Sequence, residues 1–191
     1  DPPGHVLAYV LKKQRFTPKT PTSRLFPHGG AFLCEPKTSP EALGIALYNI
    51  TTSGMYHSHQ ETNAISLSAY ASRLLMNGGW LGDTQRPAEL NNTLTINGKE
   101  HTARSGGGLE EGITHESFDY AAGYSGNALP GNATFTRSAF LMHSTAEANG
   151  YFMIMDEVDA SPGDTVHQYL HPSTDAEPQT VQNRTEYDAR I

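Results

Sequence analysis

The stretch Met55-Tyr56-His57-Ser58-His59-Gln60-Glu61-Thr62-Asn63 stands out for its concentration of side chains that can move protons or bind metal. In an extended chain, positions i and i+2 point to the same side. His57, His59 and Glu61 then share one face, with Asn63 next in line. Two imidazoles and a carboxylate so placed can hold a metal ion. They can equally pair a proton-transfer base with the group that orients it. A polar loop with exposed histidines has the same spacing, so the pattern alone leaves these readings open.

Other reactive motifs are missing. Ser105-Gly106-Gly107-Gly108 lacks the Lys-Ser/Thr of a phosphate-binding loop, and no Gly-x-Ser-x-Gly nucleophile elbow occurs. His101 and His115 lie near expected loops and read as solvated, and His143 fits either environment. His167 and His171 are four apart, a spacing that puts strand residues on one side. Cys34 is the only cysteine, which excludes an intrachain disulfide and a thiolate metal cluster.

The elements that must position these residues read as strands. Charged residues make up only 17% of the 191 residues, and Ser, Thr, Asn and Gly replace them. That composition favours strands and turns. Residues 1–24, rich in Pro, Lys and Thr, read as a connecting segment with one apolar stretch at Val6–Leu11. Pro27-His28-Gly29-Gly30 reads as a turn before a strand at Ala31–Leu33. Alternation marks a strand within Ala42–Ile50. Ala64–Met76 reads as two short strands bent near Ala71-Ser72. Thr93–Ile96 runs into Asn97-Gly98, a hairpin signal, and predicts a return strand over Lys99–Arg104. Phe135–Met142, Tyr151–Val158 and Val166–Leu170 are further strands. The expected fold is an all-β antiparallel sandwich over residues 25–171, with 172–191 a polar tail or truncated final strands.

The net charge is −7, and no basic patch interleaved with aromatics appears, so nucleic acid is not an expected partner. No apolar run is long enough to span a bilayer, and no signal peptide is seen. Asn49, Asn91, Asn132 and Asn183 each open an Asn-x-Thr sequon. In an Asn- and Thr-rich chain these read as chance matches.

Taken in order, several pieces resemble the heparinase II/III-like polysaccharide lyase family. The first is His57-Ser58-His59-Gln60-Glu61-Thr62-Asn63-Ala64-Ile65-Ser66-Leu67, followed by Ala69-Tyr70 and by Leu74-Leu75-Met76-Asn77-Gly78-Gly79-Trp80. It resembles the family's His-x-His-Ala-Asp-x-x-Ser-Phe, Tyr-Ala-x-Gly and Leu-Leu-x-Asp-x-Gly-Tyr run. Asn91-Asn92-Thr93-Leu94-Thr95-Ile96-Asn97-Gly98 is similar to its His-Asn-Thr-x-x-x-Asp-Gly. Arg137, Tyr151–Val158 and Leu170-His171 resemble its later strands. The likeness runs from about His28 to His171.

The resemblance implies a β-sandwich that works beside an N-terminal α/α-toroid in a longer parent protein, secreted or periplasmic. It implies an acidic, uronate-containing polysaccharide as substrate, cleaved by β-elimination. His57 matches the histidine that the sandwich contributes to catalysis. His59 matches a zinc ligand of some members, but Asn77 and Asn91 stand where the other ligands are Asp and His. A neutral amide is a poor zinc ligand, so an amide network is expected there and no cofactor is required. Asn63, Arg73 and Arg137 are candidate substrate contacts, with Arg104 a further cation, because arginine grips carboxylate or sulfate bidentately. Trp80 and Tyr124 are candidates for stacking on sugar rings. The competing expectation is a non-catalytic carbohydrate-binding or structural sandwich.

Overall fold

Alternating runs broken by Gly, Asn and Pro turns give short antiparallel strands, and these assemble into two facing sheets. The computed structural model describes residues 19–52, 59–78, 87–103 and 105–173, together with the backbone of 179–181 and 184–186. His57, Trp80 and Arg104 lie outside the described residues, as does most of the expected connecting segment.

The first sheet runs in order through β1 (Arg24–Phe26), β2 (Gly30–Cys34), β3 (Gly44–Tyr48), β4 (Ala64–Ala69) and β5 (Ser72–Leu75). β6 (Leu94–Ile96) lies outside it. The second sheet is built from β7 (Gly108–Thr114), β8 (Phe118–Tyr124), β9 (Thr134–Met142) and β10 (Tyr151–Asp159), each antiparallel to the next. β11 (Val166–Gln168) returns to pair with β6. β12 (Gln179–Val181) and β13 (Arg184–Glu186) form a separate hairpin. Among the described residues the only helical elements are two three-residue 3-10 turns, Ala88–Leu90 and Pro130–Asn132. The fold is an all-β antiparallel sandwich.

The inward residues of both sheets meet in one aliphatic cluster. Leu33, Ile45, Leu47 and Ile65 of the first sheet pack with Ala121, Ala139 and Leu141 of the second. Leu33, Ile45 and Leu141 are wholly buried. Leu94, Ile96, Leu129 and Phe135 form a second, smaller cluster at the β6 end.

The bend expected near Ala71-Ser72 is a tight turn between β4 and β5. Tyr70 and Ala71 both have positive φ, 53° and 61°, as a two-residue hairpin turn demands. The carbonyls of Glu41 and Pro40 hold the turn by accepting the Tyr70 and Ala71 amides at 3.3 and 2.8 Å.

Two expectations need correction. Asn97 and Gly98 do form a left-handed turn, with φ of 55° and 65°. Yet after the single bridge from Ile96 to Lys99 the described residues of 99–104 make no strand. Glu100 instead accepts the Ala88 amide at 2.8 Å, and His101 turns its ring onto the Leu94 carbonyl at 2.9 Å. The ladder partner of β6 is β11, with Thr95 opposite His167. Asn97 locks this pairing, since its side chain bonds Asp164 and the Thr165 amide at 2.7 and 2.9 Å. His101 is also not solvated. It is 3% exposed, and burial lowers its pKa against the opposing pull of the Leu94 carbonyl and Glu100.

Two of the four sequons are closed to modification in the fold. Asn49 and Asn91 are buried, at 0% and 1% exposed.

Candidate functional site

Strand β9 alternates strictly, with Phe135, Arg137, Ala139 and Leu141 all inward. Arg137 thus occupies a position that the pattern reserves for an apolar side chain. A buried guanidinium is tolerable only when paired and hydrogen-bonded. Its partner stands directly across the ladder: Asp156 of β10 is opposite Arg137. The pair is bidentate, Nε to Oδ1 at 2.7 Å and Nη2 to Oδ2 at 2.6 Å. The Nη1 group donates to the carbonyls of Asn63, at 2.9 Å, and Asn92.

Those two carbonyls belong to the two segments that carry the recognisable motifs. Asn63 closes the His57–Asn63 stretch. It is wholly buried and holds a left-handed φ of 56°, a conformation that asparagine tolerates better than most residues. Its side chain donates to the Gly123 carbonyl at 2.7 Å and accepts from Asn49 at 2.6 Å. Asn49 in turn bonds the Tyr124 carbonyl and the Gly108 amide, both at 2.8 Å. A Cβ at Gly123 would come within 2.3 Å of the Asn63 Oδ1, so glycine at this point of β8 makes room for the amide.

Asn92 is the second hub. Its side chain donates to the Ile65 carbonyl at 2.8 Å and accepts the His171 amide at 2.6 Å. Its own amide donates to Asn77 Oδ1 at 2.9 Å, and its Nδ2 reaches the same oxygen at 3.2 Å. Thr93 Oγ1 donates to the Thr62 carbonyl at 2.6 Å. One connected polar network therefore ties the end of the histidine-rich segment to Asn77, Asn92, His171 and both sheets.

The described site residues predicted from sequence fall in different places. Asn63 and Arg137 come together, but inside the sandwich. Both are 0% exposed, and four guanidinium donors of Arg137 are engaged internally. In place of the expected ligand contacts, the structure gives them partners in the buried frame. Arg73 stands apart, exposed on the outer face of the first sheet. His59 is half-buried. His57 falls outside the described residues. Tyr124 is only partly exposed at the end of β8.

Among the described residues, the amides Asn77 and Asn91 at the family's zinc positions do not make a zinc ligand set. Among the described residues no three His, Cys, Asp or Glu side chains converge. Asn77 Oδ1 is occupied by Asn92. Asn91 donates to the Pro87 carbonyl at 3.2 Å, while its buried Oδ1 has no partner among the described residues.

Glu61 has a different character. Burial pushes its carboxyl up to about 7. A carboxyl poised there can hold, donate or accept a proton near neutral pH. It sits two residues from Asn63, so the buried frame fixes its backbone.

Sequence reasoning overlooked Asn92, Asn49 and Asp156. Asp156 had a usable signal, because a carboxylate and an arginine on two adjacent alternating strands can be cross-strand partners. Asn92 had one too, since it stands in the stretch that resembles the His-Asn-Thr motif, where an amide network is expected. Asn49 had none beyond an amide side chain beside an apolar run.

Comparison with known proteins adds one finding of fold. A solved structure titled heparinase III (the BT4657 gene product) matches this chain with a TM-score of 0.70 at 17% sequence identity, over 94% of this chain. The chain spans 28% of that protein's length. No family model and no curated protein sequence matches.

Proposed function

We propose that this chain is the β-sandwich part of a polysaccharide lyase that cleaves uronate-containing glycans by β-elimination. In that reaction a base takes the C5 proton, the C4–O bond breaks, and a C4–C5 double bond forms as the leaving oxygen is protonated. The developing negative charge on the uronate needs positioned donors. His57 contributes to this chemistry in a site shared with an α/α-toroid domain of the same protein.

The observation that carries the reading is the anchoring of Asn63, the last residue of the motif that opens at His57, on a heparinase III-like fold. Asn63 is fixed at the centre of the buried polar network. Precise placement of a proton-transfer group demands such support from below. The zinc seen in some members of the resembling family has no part in the proposal.

An ultraviolet assay for unsaturated uronate product tests it. The full-length protein carrying this sequence is compared with its His57→Ala variant on a panel of uronate polysaccharides. Product from the wild type and a loss of at least about 100-fold in the variant are expected. Equal cleavage by both removes His57 from the chemistry. No product from folded wild type on any substrate favours the non-catalytic binding reading.

A further inference from the structure

The outer face of the first sheet carries a further set of sugar-compatible groups. Inward Leu33, Ile45, Leu47 and Ile65 alternate with residues that point the other way. Strand register arranges those outward residues in rows. Arg24, Phe32, Ala46 and Ser66 form one row. Gly44, Ser68 and Arg73 form the next, and Tyr48 lies beyond Ala46 on β3.

Between these rows the outward residues are the small Gly44, Ala46, Ser66 and Ser68, with Leu67, Leu75 and Met76 at the margin of the same hollow. Around it stand Phe32 at 43% exposed, Tyr48 at 36% exposed, and the exposed Arg73. The result is a groove of about 360 Å³. It continues past Phe32, Gly44 and Ser68 into a second hollow of about 420 Å³ that includes Lys19 and Lys37. Among the described residues no carboxylate lines either part, although the chain has a net charge of −7. Lys37 is neutralised by Glu35 at 2.8 Å. Arg73 has no ion pair among the described residues, and its guanidinium touches only the Met76 sulfur at 3.8 Å.

We propose that this groove binds an acidic oligosaccharide, with sugar rings against Phe32 and Tyr48 and a carboxylate or sulfate on Arg73. The C–H face of a pyranose packs on an aromatic ring, its hydroxyls pair with small polar groups, and its anionic group selects a free guanidinium. The groove supplies all three, and its open shape suits a chain that passes through. This binding does not depend on cleavage, so it stands or falls separately from the lyase reading.

Calorimetric titration of the full-length protein tests it. The His57→Ala background prevents turnover, and the probe is a uronate-containing hexasaccharide beside its carboxyl-reduced neutral analogue. The expected result is one binding equivalent that Phe32→Ala and Arg73→Ala each weaken about tenfold or more, a loss of roughly 1.4 kcal/mol. The neutral analogue is expected to bind that site weakly, with little further loss on Arg73→Ala. Both substitutions are at exposed positions, and unchanged circular dichroism confirms folding. Stoichiometry and affinity that both variants leave unchanged would overturn the proposal, as would no saccharide binding at all. Groove binding in a protein that makes no unsaturated product would sink the lyase reading alone.

Discussion

The interior of the sandwich has two halves of opposite chemistry. Around Leu33, Ile45 and Leu141 it is aliphatic and assembled by alternation. Around Arg137 it is a network of buried amides, carbonyls and one ion pair, whose Asp156 keeps some exposure. Apolar packing is largely non-directional and tolerates exchanges of similar volume. A hydrogen-bond network is satisfied by one arrangement and costs heavily when half-made. The aliphatic half therefore brings the sheets together, and the polar half fixes where the two motif-bearing segments lie between them.

The strongest way to break this contrast is Arg137→Ala. It leaves the Asp156 carboxylate without its cation and the Asn63 and Asn92 carbonyls without a donor. A loss of about 3–5 kcal/mol in denaturant unfolding is expected. The double variant Arg137→Met with Asp156→Leu sharpens the point. It recovers much of the stability, because no charge is left buried alone. It does not restore order at Asn63, which hydrogen exchange at the amides of residues 62–65 reads as lost protection. Full protection in the double variant would show that the polar half adds only stability.

Leu141→Ala is the counterpart in the aliphatic half, with an expected cost of about 3 kcal/mol from lost burial and the cavity left behind. Protection at residues 62–65 should then fall only as far as global stability does. A selective loss there would erase the distinction between the halves.

The same division explains what could be read from the sequence. The aliphatic half follows period two, so β2, β3, β4, β9, β10 and β11 were legible from residues such as Ile45, Leu47 and Ile65. The sequence resemblance implied a β-sandwich, and the fold is similar to that of a solved heparinase III structure. β7 and β8 escaped because Ala121-Ala122-Gly123 offers little apolar contrast, and because β7 carries Glu110 and Glu111 at a bulge that shifts its phase. The polar half was half-legible. Asn63 and Arg137 were singled out, yet as ligand contacts, because sequence shows a charge without its burial. Only the fold puts Asp156 opposite Arg137 and Asn49 beside Asn63. The hairpin signal at Asn97-Gly98 gave a true turn but a false partner, since Asn97 and Asp164 bring β11 to β6 instead.

Asn63 permits a smaller and more selective break. Asn63→Ala removes the amide bonds to Gly123 and Asn49 and puts an ordinary residue at φ 56°. Asn63→Gly removes the same bonds but keeps the backbone conformation free of strain. A loss of roughly 2–3 kcal/mol for alanine is expected, with glycine about 1 kcal/mol milder. Equal losses would mean that the hydrogen bonds, and not the left-handed backbone, set the position.

The smallest expected effect is the pH dependence at Glu61. Its folded carboxyl stands at about 7, above the usual 4.5. Below pH 4.5 both folded and unfolded states hold the proton, and Glu61 imposes no penalty. As pH rises towards 7 the unfolded state releases its proton first, so stability falls with pH across that window. Glu35 works in the opposite sense. Burial pushes its carboxyl up, but hydrogen bonds from Lys37, Ser144 and the Leu43 and Ser144 amides outweigh that and hold it at about 2. Its contribution is present above 4.5 and fades as pH falls towards 2. Wild type minus Glu61→Gln, measured by urea unfolding from pH 4 to 8, isolates the first group. With partial solvent access discounted, the variant should gain on the wild type by about 1–2 kcal/mol between pH 4.5 and 7. A flat difference would mean that Glu61 titrates normally. The carboxyl beside the histidines would then be an ordinary anion at neutral pH, and no proton-holding role could be assigned to it.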